Sequence, residues 1–276
     1  MKRLLKADIY RVLKSRLTLI ALILVLAFPV LIVLMYAGMR FVSSELGDDL
    51  VETGLLFNAN TLIGAVYSLT NNIGLVLPAF TGILVCMDIS NGTLRNKVIV
   101  GNRRSEIYLS HLIVSILFSV TMITIYAAMT TGLALLFFPF NRDPSLNLGL
   151  EILYFVAYGT MTFIFIATLS TLFALTLRST APTIIFTIVL SIALYTFSSI
   201  LQLVNYQPYR HVVYFIPTFA GNFFNLGSGF SLADLLMQGE ETSRGLMFFE
   251  GMLSYLSFGI LNTALGMLIF KKRDIN

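Results

Sequence analysis

The densest group of chemically useful side chains in the sequence is the run Asp88-Ile-Ser-Asn-Gly-Thr-Leu-Arg-Asn-Lys-Val-Ile-Val-Gly-Asn-Arg-Arg-Ser-Glu106, which lies between two long uncharged stretches. Thr93 or Asn91 is a good helix N-cap and Gly101 a good stop, so a short helix is expected at about 93–100. Leu94 and Val98 are four residues apart and share a face of that helix, while Arg95 and Lys97 point elsewhere. An apolar knob with basic neighbours suits docking into a groove on a cytoplasmic partner. Ser105 is then expected to cap the following helix, with Arg103 and Arg104 at the level of lipid headgroups.

Other chemistries lack their residues. Cys86 is the single cysteine, so the chain can form neither an internal disulfide nor a cysteine zinc cluster. His111 and His211 are the two histidines, and no H-E-x-x-H or G-x-S-x-G occurs. Gly227-Ser228-Gly229 reads as a flexible loop. No G-x-x-x-x-G-K-[ST] phosphate loop is present, so a chain that used ATP would need the site on another polypeptide. No metal and no cofactor are expected to be bound by this chain itself.

The elements around these residues follow from composition. Of 276 residues, 57% are hydrophobic and 12% charged, and mean hydropathy is +0.86. Charge at about half the usual share of ~25% cannot cover a soluble protein. The charges cluster between uncharged runs, several of them longer than the ~20 residues that cross a bilayer. The expected fold is an all-α integral membrane protein with six spans, at about 17–39, 62–87, 107–138, 152–177, 183–204 and 251–270. The segment 210–234 is long enough for a seventh, but Pro217, Gly221, Gly227 and Gly229 make it a poor lipid-facing helix. It reads as a re-entrant or surface-lying hairpin within an outer loop at 205–250.

Charge placement orients this arrangement. The two termini and the loops at 88–106 and 178–182 hold 14 Lys/Arg and 4 Asp/Glu, against 4 and 10 on the opposite side. The positive-inside rule puts both termini in the cytoplasm of a cell-membrane protein. The basic residues flank hydrophobic runs, so no nucleic-acid partner is expected. Residues 1–16 read as an amphipathic helix in the headgroup layer, with Leu5, Ile9, Val12 and Leu13 on one arc and Arg3, Lys6, Arg11 and Lys14 on another. A cleaved leader does not fit this run.

The expected span cores contain no Asp, Glu, Lys or Arg, which argues against an ion-coupled carrier or voltage sensor. His111, near the cytoplasmic start of the third span, is expected to face interfacial water. Uncharged polar residues remain. They serve either as bridges between helices, worth ~0.6–2 kcal/mol each, or as lining of a substrate path. Candidates for the path are Asn71, Asn72, Ser191, Thr196 and Asn262. Gly259 and Gly266 are expected to permit close helix packing.

The pattern Asp-x-x-x-Gly-Thr-Leu-Arg-Asn-Lys-x-x-x-Gly-x-x-Arg-x-Glu-Ile-Tyr at 88–108 resembles the signature loop of ABC-2 type transporter permeases. Many members carry glutamate where this chain has Asp88, which leaves the charge intact. The resemblance implies an N-terminal interface helix, six spans, a coupling helix after the second span and a re-entrant outer segment before the sixth. It also implies two copies of a separate ATPase subunit holding ATP and Mg, and a second permease chain, identical or similar. The coupling residues it points to are Asp88, Gly92, Thr93, Leu94, Arg95, Lys97, Val98, Arg104 and Glu106. Small permeases of that family often export antimicrobial peptides or move lipids and hydrophobic drugs, so the resemblance implies a peptide or hydrophobic substrate. A membrane scaffold or sensor that needs no ATPase is the alternative, followed by an intramembrane enzyme or secondary carrier.

Overall fold

A computed structural model describes residues 1–45, 58–67, 72–140, 148–203 and 244–272, and among these the secondary structure is helical without strands. The helices are α1 (Lys2–Leu13), α2 (Arg16–Glu45), α3 (Ala59–Gly64), α4 (Asn72–Ser90), α5 (Thr93–Ile99), α6 (Arg104–Phe137), α7 (Leu148–Leu177), α8 (Thr180–Leu203) and α9 (Arg244–Lys272). Five of them, α2, α6, α7, α8 and α9, are long and apolar enough to cross a membrane. The bent pair α4–α5 makes a sixth if it is counted as one span.

Local chemistry sets several boundaries. Ser15 separates α1 from α2 and acts as the cap of α2, its Oγ accepting from the Thr18 N–H at 3.1 Å. The uncharged stretch from 53 to 87, expected to supply a span at 62–87, is instead divided. Asn58 caps α3 by accepting from the Thr61 N–H at 2.9 Å, α3 ends at Gly64, and the next described helix begins at Asn72. Hydropathy alone does not register the end of α3, because no charge marks Gly64 or Ala65. Arg178 turns α7 into α8 with φ of 56°, an uncommon conformation for a side chain with a Cβ. The expected outer hairpin at 205–250 lies outside the described residues except for the start of α9.

α6 and α7 form the centre. α7 packs on α9, α6, α4 and α8, while α2 lies along α6. Apolar side chains fill these seams, among them Phe118, Ile123, Tyr126, Phe163, Ile166 and Leu169. α2, α8 and α9 turn large apolar residues outward, including Leu34, Ile185 and Ile260. Lipid is the solvent that suits such a surface.

Hydroxyls supply the polar joints. Pro78 lies inside α4, and its carbonyl accepts from Thr81 Oγ1 at 2.9 Å and from Ser170 Oγ of α7 at 3.2 Å. Thr81 and Ser170 are themselves 3.0 Å apart. Thr162 of α7 meets the Tyr255 hydroxyl of α9 at 2.7 Å. These bonds knit α4 and α9 to α7 and follow the bridging use of polar residues in lipid.

The two glycines of α9 play different parts. A Cβ on Gly266 would run into the Tyr108 hydroxyl, whereas a Cβ on Gly259 meets nothing within 4 Å. The expectation of close packing therefore fits Gly266 and is contradicted at Gly259, which faces open space. Gly266→Ala is predicted to destabilise the chain by about 1–3 kcal/mol through overpacking, and Gly259→Ala to be neutral or mildly stabilising. Thermal unfolding in detergent micelles checks this pair. Tyr108→Phe, which removes the obstructing hydroxyl, recovers part of the Gly266→Ala loss.

Candidate functional site

Glycine geometry at both ends isolates α5 as a separate short helix. Gly92 occupies the N-cap position with φ of +67°, a left-handed conformation that glycine adopts without a Cβ penalty. The expected side-chain cap from Thr93 or Asn91 is absent: Thr93 Oγ1 instead donates to the Asp88 carbonyl at 2.8 Å and ties α5 back to α4. The two helices meet at 59°. At the other end Gly101 has φ of +92°, its N–H donates to the Val98 carbonyl at 2.9 Å, and the Asn102 N–H donates to the Lys97 carbonyl at 3.3 Å. This is the paired-bond stop that a glycine just past a helix allows. α6 then starts at Arg104 with Arg103 at the cap position, so Ser105 is inside the helix and not its cap.

The inner face of α5 is buried in its own chain. Leu94 is 6% exposed and shares a cluster with Val85, Cys86, Ile107, Leu112 and Phe270, with Val98 half-buried beside it. The expected outward knob at Leu94 and Val98 is therefore corrected. An apolar i, i+4 pair marks a face that must be covered, and this protein covers it within a cluster drawn from α1, α4, α6, α7 and α9. The outward apolar pair is Ile99 and Val100, 71% and 81% exposed, next to exposed Arg95 and Asn96.

Between α5 and the ends of α1, α4 and α6 sits a ring of charge. Lys97 Nζ donates to Asp8 Oδ1 of α1 at 2.7 Å and to Asp88 Oδ2 of α4 at 3.2 Å, and it lies 3.3 Å from His111 Nε2 of α6. Arg11 pairs with Asp88 and approaches Asp8 at 3.8 Å. Ser110 Oγ donates to Asp8 Oδ2 at 2.7 Å. Each carboxylate thus touches both cations, and two negative charges balance two positive ones. Burial tends to raise the Asp8 carboxyl, but hydrogen bonds from Lys97 and Ser110 and the nearby positive charge outweigh it and hold Asp8 below the usual carboxylate value.

This ring gathers residues that sequence reasoning assigned separately or missed. Asp88 and Lys97 were expected at the site and are both in it. Arg11 was expected on the basic arc of a helix in the headgroup layer, yet it pairs with buried Asp88. His111 was expected to face interfacial water; it is 2% exposed, and Asp88 Oδ2 lies 3.4 Å from its ring nitrogen. Asp8 was not singled out at all. It is the only acid in the basic segment 1–16, and at 100° per residue it falls next to Val12 and Leu5, a signal that was available.

The remaining candidates are scattered around the ring. Arg104 donates to the Lys271 carbonyl at 2.9 Å, and Glu106 lies 3.7 Å from the Met1 amine. On α1, Val12 is buried and Leu5 and Ile9 are half-buried, but Leu13 is 70% exposed and leaves the packed face. Of the substrate-path candidates, Asn71 lies outside the described residues and Asn72 is the first residue of α4. Ser191 donates to Thr187 of its own helix at 2.8 Å, and Thr196 is exposed. Asn262 is buried, its Nδ2 3.5 Å from Thr168 Oγ1 of α7. Among the described residues these form no shared polar cluster.

Compared with known proteins, the chain matches no family model and no curated protein.

Charge balance in the ring can be tested directly. Asp88→Asn leaves two cations facing one carboxylate and is predicted to cost about 3 kcal/mol, the scale for stranding a buried charge. Adding Arg11→Gln restores parity and should return at least half of that loss. The check is thermal unfolding of the single and double variants in one detergent.

Proposed function

We propose that this chain is the membrane-spanning permease subunit of an ATP-driven exporter, similar to ABC-2 type permeases, with ATP and Mg held by two copies of a separate cytoplasmic ATPase. A second permease chain completes the transporter in the cell membrane, with both termini of each on the cytoplasmic side. The observation that carries this reading is the construction of α5. Glycines bound it at both ends, its inner face is anchored in the bundle, and its outer face offers Arg95, Asn96, Ile99 and Val100.

A helix built in this way receives force at its outer face and delivers it inward. Ile99 and Val100 would enter an apolar groove on the ATPase, while Arg95 would meet carboxylates at its rim. Movement of the ATPase would then pass through α5 to α4 and α6, both of which enter the membrane. The 88–108 sequence pattern and the missing phosphate-binding loop support the same division of labour.

A peptide or hydrophobic compound is the proposed cargo, with antimicrobial-peptide immunity or resistance as the biological setting. The uncharged span cores favour such a cargo over an ion.

Leu94→Asp would damage the core of the protein itself and cannot separate docking from folding. Ile99→Asp and Val100→Asp are the informative variants. Each is predicted to insert and fold normally while lowering recovery of the ATPase at least tenfold, the effect of losing an apolar anchor worth about 1.4 kcal/mol or more. Quantitative co-purification from native membranes reads the result. Unchanged recovery in both variants would contradict the docking role.

A further inference from the structure

The chemistry of one side chain points beyond the docking surface to how motion is shared. A lysine ammonium has three N–H donors and no acceptor. At Lys97 these three donors have an acceptor on each of three different helices: Asp8 on α1, Asp88 on α4 and His111 on α6. An ammonium with three such partners is fully satisfied. For the third bond to form, His111 must present a bare Nε2, which places its own proton on Nδ1. The lysine is 13% exposed, so water offers little competition.

From this arrangement we infer that Lys97 is a positioning residue, a three-way pin that makes α1 and α5 move as one body with the cytoplasmic ends of α4 and α6. The inference rests on the permease reading for what drives the motion, but the pin itself is a property of the single chain. The apolar cluster around Leu94 joins α5 to α4, α6, α7 and α9 with Leu4 of α1 at its edge, whereas buried Val12 and half-buried Leu5 and Ile9 of α1 belong to a different cluster. The attachment of α1 to α5 therefore depends on the ion pair between Asp8 and Lys97 more than on packing. Without the pin, α5 would still dock and still press on the bundle, and α1 would keep its bonds to α4 through Arg11–Asp88 and to α6 through Asp8–Ser110 but lose its direct bond to α5.

Two measurements distinguish the pin from the reading on which it rests. In the isolated full-length chain in lipid nanodiscs, Lys97→Met is predicted to speed amide exchange across residues 4–13 roughly tenfold or more, the scale of a lost charge-assisted bond, while α6 stays protected. If Lys97→Met does not fold, Lys97→Arg keeps the charge but replaces the ammonium with a planar fork, and it is read in the same way. Unchanged exchange in α1 overturns the inference.

In the complex with its co-purified ATPase, spin labels at Lys6→Cys and at Asn91→Cys, in the turn that opens α5 and outside the docking face, report the distance from α1 to α5, with buried Cys86 left in place. The parent protein should keep that distance on trapping with ATP and vanadate, and Lys97→Met should lose it. A variant that keeps the distance overturns the inference. A preparation that contains no ATPase counts against the permease reading, and the exchange measurement then decides the pin alone.

Discussion

The structure depends on a constraint that membrane-embedded helices cannot avoid: a charge removed from water must find its complement in full. Lys97 is the point where this constraint is met. Its ammonium reaches three acceptors on three helices, and Arg11 closes the ring by contacting both carboxylates. Removing any one member strands another, so the ring fixes the relative positions of α1, α4, α5 and α6 more tightly than apolar packing would. Apolar side chains can slide by small steps, but an ion pair with a defined donor direction cannot.

From that ring the molecule divides into two parts with different physics. Above it, α4 is bolted to α7 through the hydroxyls of Thr81 and Ser170 on the Pro78 carbonyl, and α9 to α7 through Thr162 and Tyr255. These joints are short, neutral and internal to the bundle. Below it, α5 leaves Ile99 and Val100 uncovered in a setting of basic residues. A charge-balanced ring thus joins helices held by neutral hydroxyl bonds to a short helix with an exposed apolar pair.

Much of this was legible in the sequence because it rests on local rules. Long uncharged runs mark the long helices, Gly101 marks the end of α5, and the lone pair of carboxylates at Asp88 and Glu106 brackets the segment of interest. The features that were not legible depend on contacts between distant residues. Leu94 and Val98 declare an apolar face, but nothing nearby says whether Phe270 or another protein covers it. His111 looks interfacial by position and becomes buried only because Lys97 and Asp88 arrive beside it from other helices. Asp8 carried a legible signal, an acid set against the apolar arc of a basic helix, yet its partner lies 89 residues away. The end of α3 was hidden for a different reason, since it falls at Gly64 and Ala65, where no charge interrupts the run.

The central claim is that this chain works through a soluble ATPase that docks beneath it. The most direct measurement is purification of the tagged chain from its native membranes in mild detergent, with identification of bound proteins and assay of ATP hydrolysis. The account predicts an ATPase subunit in one-to-one ratio with the permease chains and hydrolysis that vanadate inhibits. A chain that purifies alone under several gentle conditions, with no hydrolysis above background, would contradict it.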